Sequence, residues 1–388
     1  MRIAIVQQHC DPRRGGAETS TVEMARALAE SGAEVSIVHA TSEPTPPASQ
    51  SPAEAVRFVG LNVGGTRAAR SRRFVEAARR LVTSGPYDIV HAITPCPGCH
   101  VYQPRGGLYP EAIAHSIAAT PSATGRWLRR IGRLLNRRQR YLLGVERRLL
   151  QTDAGLPLVA CVSQYVRRQV EQHYPHVAPR ARVIFNGVGV EPLEPSAARR
   201  AREQLRATLR VPDGAALLLF VGHNYKLKGL RQLLCALAGQ ERWYLAVVGR
   251  KRGEEYRRLA RRLGAQRQVH FVGPTQDVRE WYCAADLLVH PTWFDPCSRV
   301  VLEALVCGLP AVTTAYNGAA EALADGRYGR VVARPDDELS LRQAIDAALD
   351  PGLRGRCRAD SSLLRERLSM RRHAAELLAL YRELTAPS

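Results

Sequence analysis

Lysine is nearly missing from this chain: of its 56 basic side chains only three are Lys, and the rest are Arg. The Arg preference runs through all 388 residues, so most of the +20 formal charge means solubility and weak attraction to polyanions. No recognition motif accompanies that charge, and no nucleic acid is expected as a partner. Long apolar runs are missing as well. No stretch approaches about eighteen consecutive apolar residues, so no segment is expected to span a membrane. The opening MRIAIVQQHC has too few apolar residues before polar ones for a signal peptide and reads as a strand. A cytoplasmic setting is therefore expected, with the nine cysteines as reduced thiols. Two fingerprints are also incomplete. No G-x-G-x-x-G opens the first helix, and no second C-x-x-C completes a tetrahedral site around Cys96 and Cys99. Neither a metal nor a cofactor is expected.

What is present is a βα rhythm. Strands are predicted at 2–8, 33–39, 56–59, 87–93, 156–162 and 182–185, with helices at 17–29, 71–81 and 163–173. The Pro- and Ser-rich stretch 41–54 and the turn-rich stretch 94–110 read as loops. A Gly- and Pro-rich linker follows at 186–195, and the rhythm then resumes with strands at 215–221, 244–248, 268–272, 286–289 and 311–314. Right-handed crossovers make such alternation an α/β protein with doubly wound parallel sheets. The domains are expected at 1–188 and 189–366, with a helix in 367–388 packing back on the first.

Four stretches carry candidate chemistry. In HPTWFDPCSRVVLEALVCGLPAVTT (290–314), a strand ends, a loop holds Asp295, and a helix holds Glu303. Ligands of open α/β sheets bind at the carboxyl ends of strands, where helix starts offer free N–H groups. Ser298 and Arg299 would meet a phosphate there, and Glu303, roughly 7 Å further along the axis, could accept a pair of hydroxyls. Asp295 would serve the next group along the ligand. In GHNYKLKG (222–229), Lys226 and Lys228 stand in a strand-to-helix loop against an Arg background. A compact ammonium suits a phosphate oxygen, whereas a solvated turn is the plainer alternative. In 126–148, nine Arg and one acid, Glu146, interleave with Trp127, Leu128, Ile131 and other apolar residues. That pattern fits a helix lying on an anionic membrane surface, or an exposed helix packed on its domain. In the 94–110 loop, His100, Gln103 and Arg105 are candidates for polar contact with an acceptor.

Taken together the motifs resemble the family 4 retaining nucleotide-sugar glycosyltransferases, the glycosyl transferases group 1, which have the GT-B fold. The resemblance rests on Gly15-Gly16, SQYVRRQVEQHY from Ser163, VIFNGV at 183–188 and VGHNYKLKG at 221–229. It extends through VHFVGP from Val269 and the acid-x7-acid block with its GLPAVTT sequel. The order looks closest to the lipopolysaccharide core heptose glucosyltransferase branch. It implies two Rossmann-like domains facing a central cleft and a nucleotide-sugar donor, with no metal and no covalent enzyme intermediate. Glu303 would hold the ribose hydroxyls, Asp295 the transferred sugar, Lys228 the diphosphate, and Gly16 would contact the diphosphate from the first domain. Gly222 and Lys226 would line the donor loop, and the base would lie near Val272 and Gly273. Ser298 and Arg299 stand where the family has helix-start phosphate contacts. Three departures stand out: Asp295 replaces the usual Glu, His223 replaces the usual Arg, and no residue plainly matches the family histidine near the reacting carbon, for which His100 or His91 is offered.

The expectation is a glycosyltransferase moving a hexose, glucose from UDP, to a lipid-linked saccharide such as a lipopolysaccharide core. It would work peripherally on the inner membrane face, where Arg129, Arg130, Arg137 and Arg138 contact the surface. A soluble transferase acting on a sugar or small metabolite, and a GT-B nucleotide-sugar epimerase, are the rivals.

Overall fold

The computed structural model describes residues 1–11, 15–41, 56–151, 155–249 and 253–386; the expected 41–54 loop lies outside them beyond Thr41. The chain divides into two compact units, one formed by Met1–Gly189 with Ser369–Ser388 and the other by Val190–Leu368.

Among the described residues of the first unit, short apolar runs form seven strands: β1 (Arg2–Val6), β2 (Glu34–Thr41), β3 (Val56–Asn62), β4 (Ile89–Ala92), β5 (Val101–Tyr102), β6 (Leu158–Cys161) and β7 (Ala181–Val183). All pair in parallel, in the order β3-β2-β1-β4-β5-β6-β7. Order reverses between β1 and β4, and the carboxyl ends there form a switch point. The connecting helices are α1 (Gly16–Glu30), α2 (Arg67–Ser84), α3 (Tyr109–Ala118), α4 (Ala123–Leu134), α5 (Arg137–Gln151) and α6 (Gln164–His173). Ser163 caps α6 by accepting the Val166 N–H at 3.2 Å.

The second unit repeats the plan with six strands among its described residues: β8 (Ala216–Gly222), β9 (Trp243–Gly249), β10 (Val269–Gly273), β11 (Leu287–His290), β12 (Ala311–Thr314) and β13 (Gly329–Val332). Their order is β10-β9-β8-β11-β12-β13, with the switch between β8 and β11. Its helices are α7 (Pro195–Thr208), α8 (Leu230–Leu237), α9 (Glu254–Arg262), α10 (Val278–Ala284), α11 (Arg299–Val306), α12 (Glu338–Ala348), α13 (Pro351–Ala359) and α14 (Ser361–Arg367). The core packs Leu218, Phe220, Val247, Leu287 and Val289 of the central strands against Leu233, Leu341 and Ile345. Runs buried on both faces are what parallel strands require.

The last helix, α15 (Met370–Thr385), belongs to the first unit. Ala374, Leu377 and Tyr381 share a core with Met24, Leu28 and Ile37, and the Tyr381 hydroxyl lies 2.6 Å from His91 Nδ1. The two points where the chain passes between the units adjoin. Val188 pairs with Ser369, and a Cβ on Gly187 would stand 2.5 Å from the Ser369 carbonyl oxygen, so the approach needs glycine.

Two sequence expectations need correction. The 94–110 stretch is not one loop, because β5 interrupts it, and β13 adds a strand that no long apolar run announces. Glu146, the lone acid of the basic segment, does not face solvent. It is fully buried on α5, accepting the Tyr102 hydroxyl at 2.7 Å and the Tyr109 N–H at 3.0 Å. Burial pushes its pKa up to about 7, against the pull of those donors. An acid raised on folding contributes stability that is complete below its unfolded pKa and lost as pH rises through the folded one. The window here runs from 4.5 to about 7. Denaturant unfolding should therefore show Glu146→Gln gaining roughly 2–3 kcal/mol over wild type between about pH 5 and about pH 8. Parallel pH profiles for the two proteins would contradict this.

Candidate functional site

The carboxyl end of the second sheet gathers the residues that break its apolar pattern. After β8 the chain turns through His223 and Asn224, whose side-chain oxygen accepts the Leu227 N–H at 3.3 Å. Gly229 closes the turn with φ +79°, and a Cβ there would sit 1.9 Å from the Pro291 carbonyl oxygen. Only glycine lets the β8 loop lie against the β11 loop this closely. The contact sets Lys228 beside Asp295, and its Nζ donates to Asp295 Oδ2. Lys226, part-buried, follows the same turn, and Gly222 ends the strand beneath it.

Asp295 is fixed by its backbone as well. Its N–H donates to the Tyr316 carbonyl and its carbonyl accepts from Gly318, both at 2.9 Å. Burial would raise the pKa of its carboxyl; the Lys228 charge, with His290 behind it, instead holds it well below the usual carboxylate range. His290, at the end of β11, is buried against Phe220 with ring centroids 5.9 Å apart, and its Nε2 lies 3.8 Å from Asp295 Oδ2. Burial lowers the pKa of that ring.

Glu303 is buried on α11 yet doubly held. Arg299 Nη2 donates to its Oε1 at 2.8 Å, and the Tyr282 hydroxyl of α10 donates to its Oε2 at 2.9 Å. Tyr282 is itself fully buried. Val272 and Gly273 end β10 at the same edge of the sheet.

The helix-start groups expected to meet a phosphate have partners within the chain. The Ser298 N–H is already donated to Asn317 Oδ1 at 3.1 Å, the Ser298 side chain is buried, and Arg299 is committed to Glu303. The i,i+4 spacing of Arg299 and Glu303 favours that pairing within the helix.

In the first unit, Gly16 starts α1 beyond the carboxyl end of β1, an open position. His100 is misplaced for transfer chemistry. It precedes β5, at the amino end of the sheet, and its Nδ1 accepts the Val90 N–H at 3.0 Å. His91 is no substitute, being fully buried in β4 beneath α15. Gln103 and Arg105 do follow β5, but both are buried. Arg105 donates to Gln103 Oε1 at 2.8 Å, to His373 Nε2 at 2.7 Å and to Ser20 Oγ, so it ties α1 to α15 instead of reaching outward. Arg129, Arg130 and Arg137 are exposed, whereas Arg138 turns inward, donating to Ser71 Oγ at 3.0 Å. Tyr282, His290 and Asn317 were missed by sequence reading; only the polar residue at the end of an apolar strand could have pointed to His290.

Comparison with known proteins follows the same division. Residues 215–350 match the model of Glycosyl transferases group 1, and residues 14–191 match that of Glycosyltransferase Family 4. Lipopolysaccharide glucosyltransferase WaaG of Escherichia coli (strain K12) is 27% identical over 289 residues, spanning 73% of this chain and 74% of that one. D-inositol 3-phosphate glycosyltransferase 2 of Catenulispora acidiphila is 30% identical over 385 residues, spanning 86% and 84%. Among solved structures, WaaG, a glycosyltransferase involved in lipopolysaccharide biosynthesis, gives a TM-score of 0.75 at 24% identity over 97% of this chain and 99% of its own. Anabaena HepE in complex with UDP and glucose gives 0.69 at 18% identity over 98% and 99%.

Removing the Lys228 charge leaves the Asp295 carboxylate without its main counter-ion. Lys228→Met should lower unfolding stability near neutral pH by roughly 2–4 kcal/mol, and Asp295→Asn in the same background should recover much of it. Additive losses in denaturant melts would mean the pair is not coupled.

Proposed function

This chain belongs to the glycosyl transferases group 1 and is a glycosyltransferase of GT-B fold, and from that premise we propose that it moves glucose from UDP-glucose, with retention, to a lipid-linked saccharide at an anionic membrane surface. The observation that carries the donor half is the Lys228–Asp295 pair, followed on the next helix by Glu303 held between Arg299 and Tyr282. Glu303, kept rigid by Arg299 and Tyr282, accepts the ribose hydroxyls. Asp295 accepts a hydroxyl of the hexose. Lys228 neutralises charge gathering on the leaving diphosphate, with Lys226 as a further donor, and the base lies against Val272 and Gly273. The relatives and neighbours support this reading, since HepE is seen with UDP and with UDP-glucose. The acceptor hydroxyl attacks on the face from which the diphosphate leaves, and a phosphate oxygen takes its proton. The protein supplies orientation and charge, and neither metal nor cofactor takes part.

The membrane half rests on α4. Trp127, Leu128, Ile131 and Leu135 are 59%, 61%, 39% and 75% exposed, an apolar stripe open to solvent. Arg129 and Arg130 flank it. An apolar stripe edged by guanidinium groups matches an interface of acyl chains and anionic headgroups. The relative named for D-inositol 3-phosphate favours a second reading, a soluble acceptor.

Thermal-shift screening against nucleotide sugars should give its largest rise with UDP-glucose, because a ligand bound to the folded state raises the midpoint by mass action. Glu303→Ala and Lys228→Ala should each lower transfer by about 100-fold or more. A panel in which no nucleotide sugar raises the midpoint would sink the donor assignment. For the surface, wild type should float with vesicles containing phosphatidylglycerol but not with phosphatidylcholine alone, and Trp127→Ser with Leu128→Ser should abolish flotation. Wild type that stays at the bottom of the gradient would favour the soluble acceptor.

A further inference from the structure

Two cavities open in the 190–368 unit at the amino ends of its strands, away from Lys228 and Asp295. The larger, about 610 Å³, borders the starts of β8 and β9; the smaller, about 450 Å³, lies between α7 and α13. Arg202 and Arg354 line both. The smaller adds Arg199 and Arg358, and no carboxylate lines it. A general surplus of Arg would leave guanidinium groups scattered among acids, not four around one acid-free hollow.

Two of the four are built into the fold. Arg202 Nη1 donates to the carbonyl of Ala284 at 2.7 Å, finishing α10, and its Nη2 donates to Asp286 Oδ1 at 2.7 Å. Asp286 also receives Arg206 and Arg354, so one carboxylate answers three guanidinium groups. Positive charge is left over. Burial and the like charge of Arg202 bring the Arg354 pKa down to about 10, and its Nε–H is buried without an acceptor. The other two, Arg199 and Arg358, make no hydrogen bond or ion pair among the described residues. Cations with unused donors around a cavity make up half of a salt-bridged site.

We propose that this smaller cavity is a second anion site, taking a small phosphate-bearing ligand such as a phosphate monoester or pyrophosphate, and that its occupancy is felt at Glu303. Planar guanidinium forks match phosphate oxygens in pairs, and a phosphate ester carries about two negative charges at neutral pH. The link to Glu303 is Tyr282, which lines the cavity and donates its hydroxyl to Glu303 Oε2 at 2.9 Å. Cys307 offers a second path, lining the cavity while its N–H donates to the Glu303 carbonyl at 3.0 Å. The binding claim stands on the cavity alone; the coupling rests on Glu303 being the acid that holds the nucleotide.

Calorimetry on the full chain separates these. Inorganic pyrophosphate is titrated into wild type, Arg199→Gln/Arg358→Gln and Lys228→Ala, and UDP into the same three. With UDP saturating the donor site, the double variant should weaken the remaining pyrophosphate binding by about tenfold or more while keeping its UDP affinity, and Lys228→Ala should weaken UDP and leave that remaining binding unchanged. Saturating pyrophosphate should shift wild-type UDP affinity by about fivefold, and that shift should vanish in the double variant. A double variant that binds pyrophosphate as wild type does overturns the site, and UDP affinity indifferent to pyrophosphate overturns the coupling. Unchanged UDP binding by Lys228→Ala would fault the donor assignment instead, leaving the pyrophosphate comparison to decide the pocket.

Discussion

An ionised carboxylate leaves water only when something nearby answers its charge, and this protein is arranged around that demand. Asp295 is answered by Lys228, Glu303 by Arg299 with Tyr282, and Asp286 by three arginines. Glu146 is the contrast. Its close donors are neutral, a phenol and a backbone N–H, and it drifts toward protonation near neutral pH. The kind of cation matters as much as its presence. A chain with so few lysines still sets one against Asp295. An ammonium on a flexible stem can exchange one anionic partner for another more readily than a guanidinium fixed by a planar fork.

Where the answered acids sit follows from topology. Both sheets reverse their strand order beside the first strand of their unit, and loops at the carboxyl ends diverge there. In the second unit the loops after β8 and β11 are pressed together by the Gly229–Pro291 approach, and α10 reaches across to Glu303. The side chains at this edge are therefore held by strand ends and helix faces, with few rotamers left to freeze when a ligand arrives.

Much of this architecture was readable in advance. Apolar runs such as ALLLFV and DLLVH announce buried parallel strands, and the family with its GT-B fold follows from motifs spread over the chain. The lysines and the two acids were visible because each breaks a local pattern. What stayed hidden was pairing. Sequence places Ser298 at a helix start, but not Asn317 nineteen positions later, taking its N–H. Arg105 looked like a polar loop residue because nothing local reveals that His373, far along the chain, receives its guanidinium. His100 was assigned to the wrong end of the sheet because a two-residue strand such as β5 leaves no periodicity to read, and without β5 the loop has no direction. Glu146 was hidden by composition, one acid among arginines on a helix whose inner face could not be told from its outer.

The pairing of Val188 with Ser369 means that the 190–368 unit is inserted into the other, entering and leaving through neighbouring residues. During synthesis the inserted unit therefore emerges whole before α15 does. The first unit must wait with Met24, Leu28 and Ile37 uncovered until Leu377 and Tyr381 arrive to close its core. The part of the chain made first is thus the last to become finished, and a nascent chain stalled before α15 would carry one mature half and one apolar face open to chaperones.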